Sequence, residues 1–76
     1  MCGVGFMRAR VYFRRKGEPA FRDLGSRDMG SVPAEDDNVI INIDGDTIQA
    51  RVDRVRTFVE TKHQPARDPE VYLESL

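Results

Sequence analysis

The sequence contains one cysteine, Cys2, and one histidine, His63, and it has no tryptophan. A single cysteine cannot form an internal disulfide bond, and it excludes metal sites that need four cysteines. No apolar run approaches the roughly 20 residues that a membrane-spanning helix requires, and the first residues do not follow the plan of a signal peptide. The sequence therefore predicts a soluble, cytoplasmic protein without a membrane partner.

An excess of one charge is also absent, because a third of the residues are charged and the formal net charge is only -1. This balance argues against a general attraction to nucleic acids or membranes. The charges are nevertheless segregated along the chain. Residues 1–27 carry seven basic and two acidic side chains, whereas residues 28–46 carry six acidic side chains and no basic one. The two segments are therefore candidates for complementary surfaces.

The length of the chain predicts a single small domain over residues 1–76. Domains of this size bury only about 60% of the surface of their unfolded chain, so a deep catalytic pocket is not expected. No glycine-rich phosphate loop is present, and no pattern places a nucleophile or an acid beside His63. We therefore expect a protein that is not an enzyme and that binds no cofactor or metal.

Several segments alternate apolar and polar side chains, as β-strands do. Residues 7–14 alternate apolar side chains with arginine and tyrosine, and residues 69–76 predict a short closing strand. Residues 39–43 precede Asp44-Gly45, a dipeptide that favours the positive φ angles of a tight hairpin turn. A second β-branched segment follows this turn, so the sequence predicts a β-hairpin.

The segment after the turn allows two interpretations. Beyond Val52 the apolar period slips to a spacing of three, which a β-bulge near Asp53 and Arg54 explains. The same apolar residues also match one stripe of a helix at about 47–63, which would make the fold α+β. The many β-branched residues favour the bulged strand, because each loses rotamer freedom in a helix.

Residues 20–37 show no regular period, and glycine, serine and proline interrupt them. Phe21 and Leu24 are their best candidates for burial. We predict a long loop region here with at most one short strand or helical turn, since a structureless loop of this length is unusual in a compact domain.

Residues 32–76 resemble small bacterial SH3-like β-barrel proteins. The resemblance rests on Val32-Pro33, the Asp44-Gly45 turn, the two valines in 50–55 and the Pro-x-Val-x-Leu of the closing strand. It implies a mainly β fold, a small open barrel of four to five antiparallel strands. Such barrels have many functions, so the resemblance alone transfers none of them.

The first six residues, Met-Cys-Gly-Val-Gly-Phe, resemble the start of class II glutamine amidotransferases. In that family, removal of the initiator methionine exposes a cysteine nucleophile, which here would be Cys2. The chain is too short for the layered αββα domain of that family, so this activity is the most remote of the alternatives.

The polar face of the first strand holds the main candidate functional residues. Arginines bind phosphates and a tyrosine stacks on a base, so this face is a candidate site for single-stranded nucleic acid. The candidate site residues are Arg8, Arg10, Tyr12 and Arg14 of this strand, and Arg51 and Arg54 enlarge the site if the bulged strand lies nearby. The simpler interpretation, which we favour, is that they form the solvated side of an amphipathic strand.

An acidic cluster is the counterpart of these arginines. Its members are Glu35, Asp36, Asp37, Asp44 and Asp46. We expect it to pair with the arginine face, within one molecule or between two copies. The sequence thus predicts a non-enzymatic interaction module that binds an unknown protein or itself, and the alternative is weak nucleic-acid binding.

Overall fold

One sheet contains every strand of residues 7–76, the part of the chain that the computed structural model describes. These residues form five strands and no helix. The strands are β1 (Met7–Arg14), β2 (Arg22–Met29), β3 (Asn38–Ile43), β4 (Asp46–Phe58) and β5 (Arg67–Ser75). They lie in the order β2-β1-β5-β4-β3, and the sheet curls into a half-barrel. The prediction of a mainly β, small open barrel is confirmed.

The direction of one strand pair differs from the prediction. Three pairs are antiparallel as expected, but β1 and β5 are parallel. Consecutive strands alternate in direction, so the first and fifth strands run the same way and must pair in parallel when they lie side by side. Through this pair, β5 joins the β1–β2 ribbon to the β3–β4 hairpin.

The hairpin of β3 and β4 forms as predicted. Ile43 pairs with Asp46, which leaves Asp44 and Gly45 as a two-residue loop. Their φ angles of +53° and +88° are the combination that a type I′ turn requires. Ile41 and Ile43 are both buried, on the face that the alternation predicts. The turn therefore fixes which side chains of β3 reach the core.

β4 is a bulged strand, and the helical alternative for residues 47–63 is wrong. The register to β5 shifts between Val52 and Arg54, so that Asp53 is an extra residue at the predicted position. The bulge returns Val55 to the core side, where it packs against the buried cluster. The strand prevails because β3 and β5 supply backbone partners on both of its edges.

The predicted loop region of residues 20–37 contains one strand, β2 over residues 22–29, which with eight residues is longer than the short strand that the prediction allowed. Two residues of β2, Leu24 and Gly25, face a single residue of β1. Gly25 has a φ of +81°, which is typical of a bulge that requires glycine. The extra residue interrupts the period of two, and this interruption hides the strand from a search for alternation.

The core lies on one side of the sheet, which we call the inner face. Its buried side chains are Ala9, Val11, Phe13, Ile41, Ile43, Ala50, Val52, Val71 and Leu73. Val71 and Leu73 are buried as the closing-strand pattern predicts, whereas Leu76 lies beyond the end of β5 and is 64% exposed. The opposite side, the outer face, carries the polar positions of the same strands.

The turn conformation leads to a first prediction. Gly45→Ala should lower the free energy of unfolding by about 1 kcal/mol, because an alanine side chain disfavours positive φ. Gly30→Ala is the matched control, since both glycines have open space where the new methyl group would lie and only Gly45 has a positive φ. Urea denaturation measures both changes, and equal effects would contradict the role assigned to the turn.

Candidate functional site

The six residues of the predicted site lie together on the outer face. Strand pairing brings Arg10 beside Glu70, Tyr12 beside Tyr72 and Arg14 beside Glu74. On the other side of β5, Arg51 pairs with Glu74 and Arg54 with Tyr72. The bulge in β4 is necessary for this arrangement, because without the extra residue Arg54 would point to the opposite face.

Carboxylates neutralise most of the arginines on the outer face. The ion pairs are Arg8–Asp28 (3.1 Å), Arg10–Asp23 (2.7 Å), Arg14–Glu74 (3.0 Å), Arg51–Glu74 (3.6 Å) and Arg56–Glu70 (3.6 Å). All of these carboxylates belong to β2 and β5. The prediction that the acidic cluster of residues 35–46 pairs with this face within one molecule is therefore wrong for the described residues, because nearer acids already occupy the arginines.

The aromatic side chains of the outer face contact one another. Tyr12 and Tyr72 stack with their ring centroids 4.8 Å apart and their planes 10° from parallel. The guanidinium of Arg54 lies 4.4 Å from the centre of the Tyr72 ring, and Phe21 meets this ring edge-on at 5.1 Å. Tyr72 is consequently only 8% exposed. Its neighbours thus occupy the surface that a nucleic-acid base would need for stacking.

Glu70 holds the two tyrosine hydroxyls in place. The Tyr72 hydroxyl donates to one carboxylate oxygen at 2.9 Å, and the Tyr12 hydroxyl donates to the other at 3.4 Å. Desolvation by the surrounding side chains raises the pKa of Tyr12, and the charge of Glu70 raises it further. Tyr12 therefore keeps its proton at neutral pH and acts as a donor within the sheet.

Asp23 is bound on two sides. Arg10 donates to one carboxylate oxygen at 2.7 Å, and the backbone N–H of Gly25 donates to the other at 2.7 Å. The bond from Arg10, and then the bond from Gly25, lower the pKa of Asp23. These bonds favour the ionised form, so their contribution to stability is present at neutral pH and is lost as the pH falls through the lowered pKa.

A small open cleft lies next to Arg10 on the outer face. It has a volume of about 220 Å³ and is also lined by Phe58, Arg67, Asp68 and Glu70. The guanidinium of Arg67 lies 4.0 Å from the centre of the Phe58 ring, which leaves little of that ring free. Residues 7–76 contain no group of three or more potential metal ligands close enough to hold an ion. The described side chains of this cleft therefore do not point to a particular ligand or reaction.

The free edge of β3 is the feature that sequence analysis missed. Within residues 7–76, β3 is the last strand of the sheet and pairs only with β4. The two-residue turn makes Ile43 and Asp46 a hydrogen-bonded pair, so the odd-numbered residues of β3 bond to β4. The backbone groups of Asn38, Ile40 and Asn42 must then point away from the sheet. The Arg27 guanidinium agrees with this geometry, since it reaches the Asn42 carbonyl from outside at 3.0 Å.

The two edges of the sheet differ in chemistry. β2, the opposite edge, carries four charged side chains, Arg22, Asp23, Arg27 and Asp28, whereas β3 carries none. Charged residues on an edge strand discourage pairing with another chain. β3 has no charged side chain of its own, and the Arg27 guanidinium reaches its edge only at Asn42. Its central residue, Ile40, is an isoleucine that is 70% exposed on the outer face.

An open cleft adjoins the first half of β3. Its volume is about 470 Å³, and its apolar lining includes Met29, Pro33, Val39 and Ile40. It lies where the loop after β2 leads into β3, so a chain that followed the β3 edge would pass beside it. The alternation of apolar and polar residues in β3 indicates an amphipathic strand. Only the strand order, which the sequence does not give, identifies this strand as an edge.

Comparisons with known proteins add no further assignment. No family model matches the sequence, and searches of curated proteins and of solved structures give no match. The class of this protein is therefore the one that its own fold defines, a small mainly β half-barrel. Residues 7–76 contain no helix with the length and apolar character to cross a lipid bilayer. Cys2, the nucleophile that the amidotransferase resemblance implies, lies outside the described residues.

The Arg10–Asp23 pair leads to a second prediction. Arg10→Gln should raise the pKa of Asp23, because the variant removes the strongest interaction with its ionised form. Arg22→Gln is the control: Arg22 is adjacent to Asp23 in sequence, but it pairs in register with the inner residue Phe13. Carbon-13 NMR titration of the Asp23 carboxyl group measures the change. An unchanged pKa in Arg10→Gln, or an equal rise in the control, would contradict the assigned contact.

Proposed function

We propose that this chain is a small, non-enzymatic interaction module that binds other polypeptides at the free edge of β3. The observation that carries the proposal is the combination of outward backbone groups, an exposed isoleucine and a complete lack of charge on one edge strand. Extended chains bind such edges by β-strand addition, in which backbone hydrogen bonds give affinity and side-chain pockets give specificity.

The contrast between the two edges supports a binding role. Soluble proteins usually protect an edge strand with charge, proline or a bulge, because an open edge promotes aggregation. β2 has both charged side chains and a bulge at Gly25. β3 has neither, although its neutral sequence is the more prone to pairing. A sheet with one open edge and one protected edge shows the pattern expected when the open edge is a binding strand.

The chemistry of the edge also defines the partner. Ile40 and the apolar part of the neighbouring cleft, which also contains Ser31 and Asp37, favour an extended segment that places an apolar side chain every second residue on the side of the outer face. The neutral strand gives no advantage to a strongly charged peptide. We infer a neutral, β-prone segment as the ligand, while the SH3-like affiliation and the cytoplasmic location stay predictions.

A test of this proposal selects binders from a library of random linear peptides displayed on phage. Peptides that bind the wild-type protein should lose binding to Ile40→Pro, because proline removes a backbone N–H that points away from β4 and that the folded chain does not use. Val59→Pro is the control, since Val59 is equally apolar, 79% exposed and outside the strands.

Circular dichroism establishes that both variants remain folded, and Ile40→Lys provides a second, independent change at the same position. Loss of binding in both position-40 variants with retention in Val59→Pro supports the proposal. Selected peptides that bind all three variants equally would contradict it, as would the absence of binders together with a protein that stays monomeric.

Nucleic-acid binding remains a second candidate function because the outer face has more arginines than carboxylates. The outer face has six arginines, Arg8, Arg10, Arg14, Arg51, Arg54 and Arg56, against the four carboxylates that pair with them. Arg54 has no carboxylate partner among the ion pairs of residues 7–76, and it lies over Tyr72 instead. The excess of positive charge suits phosphate contacts, although the stacked tyrosines weaken the case for base recognition.

Titration with a single-stranded oligothymidine at several salt concentrations tests this candidate. If the arginine face binds phosphates, affinity falls steeply with salt, and Arg54→Gln reduces the slope of log K against log salt by about 1. Lys62→Gln is the control, since Lys62 is an exposed residue of the loop between β4 and β5. No binding at low salt, or the same slope in both variants, would count against the candidate.

A further inference from the structure

We propose that the partner of the β3 edge is β3 of a second copy of this chain, paired antiparallel about a two-fold axis at Ile40. This inference rests on the proposed function of the same edge and specifies its occupant. Its starting point is the sequence Asn38-Val39-Ile40-Ile41-Asn42, which reads nearly the same in both directions. A strand with this symmetry is complementary to itself in an antiparallel pair.

The register follows from the symmetry. With Ile40 on the two-fold axis, it faces Ile40 of the second copy, and Asn38 faces Asn42 of that copy. These are the even-numbered residues whose backbone groups point outward from the sheet. Each facing pair therefore exchanges two N–H to C=O bonds, and the ladder continues from one sheet into the other.

The side chains fit the same register. On the outer face, the two exposed Ile40 side chains would contact each other across the axis. Each Asn42 side chain would donate its amide N–H to the Asn38 amide oxygen of the other copy, since the Asn42 Oδ1 already accepts from the Gly45 N–H at 3.1 Å. On the other side, Val39 would face Ile41 of the second copy. Within β3 no like charges meet, because the strand contains no charged residue, but the same register places Asp36 close to Asp44 of the second copy at each end of the pair.

The opposite edge does not offer an equivalent pairing. β2 carries four charges, and its bulge at Gly25 interrupts the strand and increases its twist. Arg27 of β2 already donates to the Asn42 carbonyl at 3.0 Å, but a carbonyl oxygen has two lone pairs and can accept a second bond from the new strand. The β3 edge is thus the one that suits a two-fold contact.

The size of the contact limits its strength. β3 has six residues, so the paired strands are about 20 Å long and the interface is smaller than that of a stable, obligate dimer. We therefore expect a reversible dimer whose population rises with protein concentration. Sedimentation velocity over a concentration series measures this behaviour in the wild-type protein.

Disulfide trapping tests the register directly. In a Cys2→Ser background, Ile40→Cys places two cysteines opposite each other at about 5.5 Å between Cα atoms, a distance that a disulfide bridges. Asn38→Cys places them about four residues apart along the paired strands, or roughly 14 Å, which is too far. Val59→Cys, an exposed position outside the strands, gives the yield from random collisions.

Under mild oxidation, intact mass and non-reducing gels should show a covalent dimer of Ile40→Cys and only the collision yield for the other two variants. The double variant Asn38→Cys/Asn42→Cys should regain the cross-link, because these positions face each other. Equal yields at all positions, or no excess for Ile40→Cys, would overturn the proposal.

Two substitutions by lysine give a complementary measurement. Ile40→Lys should weaken dimerisation by about tenfold, since it brings two like charges together and removes the apolar contact, while Val59→Lys should leave the dimer unchanged. One outcome is a wild-type protein that stays monomeric at all concentrations and still captures peptides that do not bind the position-40 variants. That result would overturn self-pairing and leave the proposed function standing. A monomer that captures no peptide would overturn both.

Discussion

The stability of the sheet depends on β5, a strand that is buried on both of its faces. β5 is the strand through which the β1–β2 ribbon and the β3–β4 hairpin are joined, and its residues Val71, Tyr72 and Leu73 are all buried. Val71 and Leu73 belong to the inner core, and Tyr72 lies on the outer face between Tyr12 and Arg54. A thin core is expected in so short a chain, so the second layer of packing around Tyr72 adds to the area removed from water.

This central position of β5 determines what the other polar residues do. Glu70 and Glu74 lie on β5 between two strands rich in arginine. Glu74 pairs with an arginine on each side, whereas Glu70 pairs with Arg56 on β4 and accepts from both tyrosine hydroxyls. Ion pairs whose arginines are exposed, such as those of Arg51 and Arg56, stabilise weakly, but they orient the strands and occupy the arginines. With much of the outer face engaged in internal contacts, the open edge of β3 is the surface that we propose as the binding site for another chain.

Local features of the structure could be predicted from the sequence, and features that depend on strand order could not. Asp44-Gly45 and the slip after Val52 have local causes, a turn that requires positive φ and an extra residue in a strand, so the hairpin and the bulge were predicted correctly. The position and length of β2 were not predicted, because Gly25 breaks its period. Arg8, Arg10, Tyr12 and Arg14 were placed on one strand face, but the carboxylate partners of the site arginines lie up to 60 residues away along the chain, where alternation gives no information. The open edge of β3 could not be predicted either, because it results from the strand order that the parallel pairing of β1 and β5 produces.

The most direct test of this account is hydrogen exchange at two neighbouring amides of β3 as a function of protein concentration. At low concentration the Ile41 amide should be protected by its bond to β4, while the Ile40 amide, which points away from the sheet, should exchange freely. At high concentration the Ile40 amide should gain protection as the second copy binds, with little change at Ile41. An Ile40 amide as protected as Ile41 in the dilute protein, or one that exchanges freely at every concentration, would contradict the account.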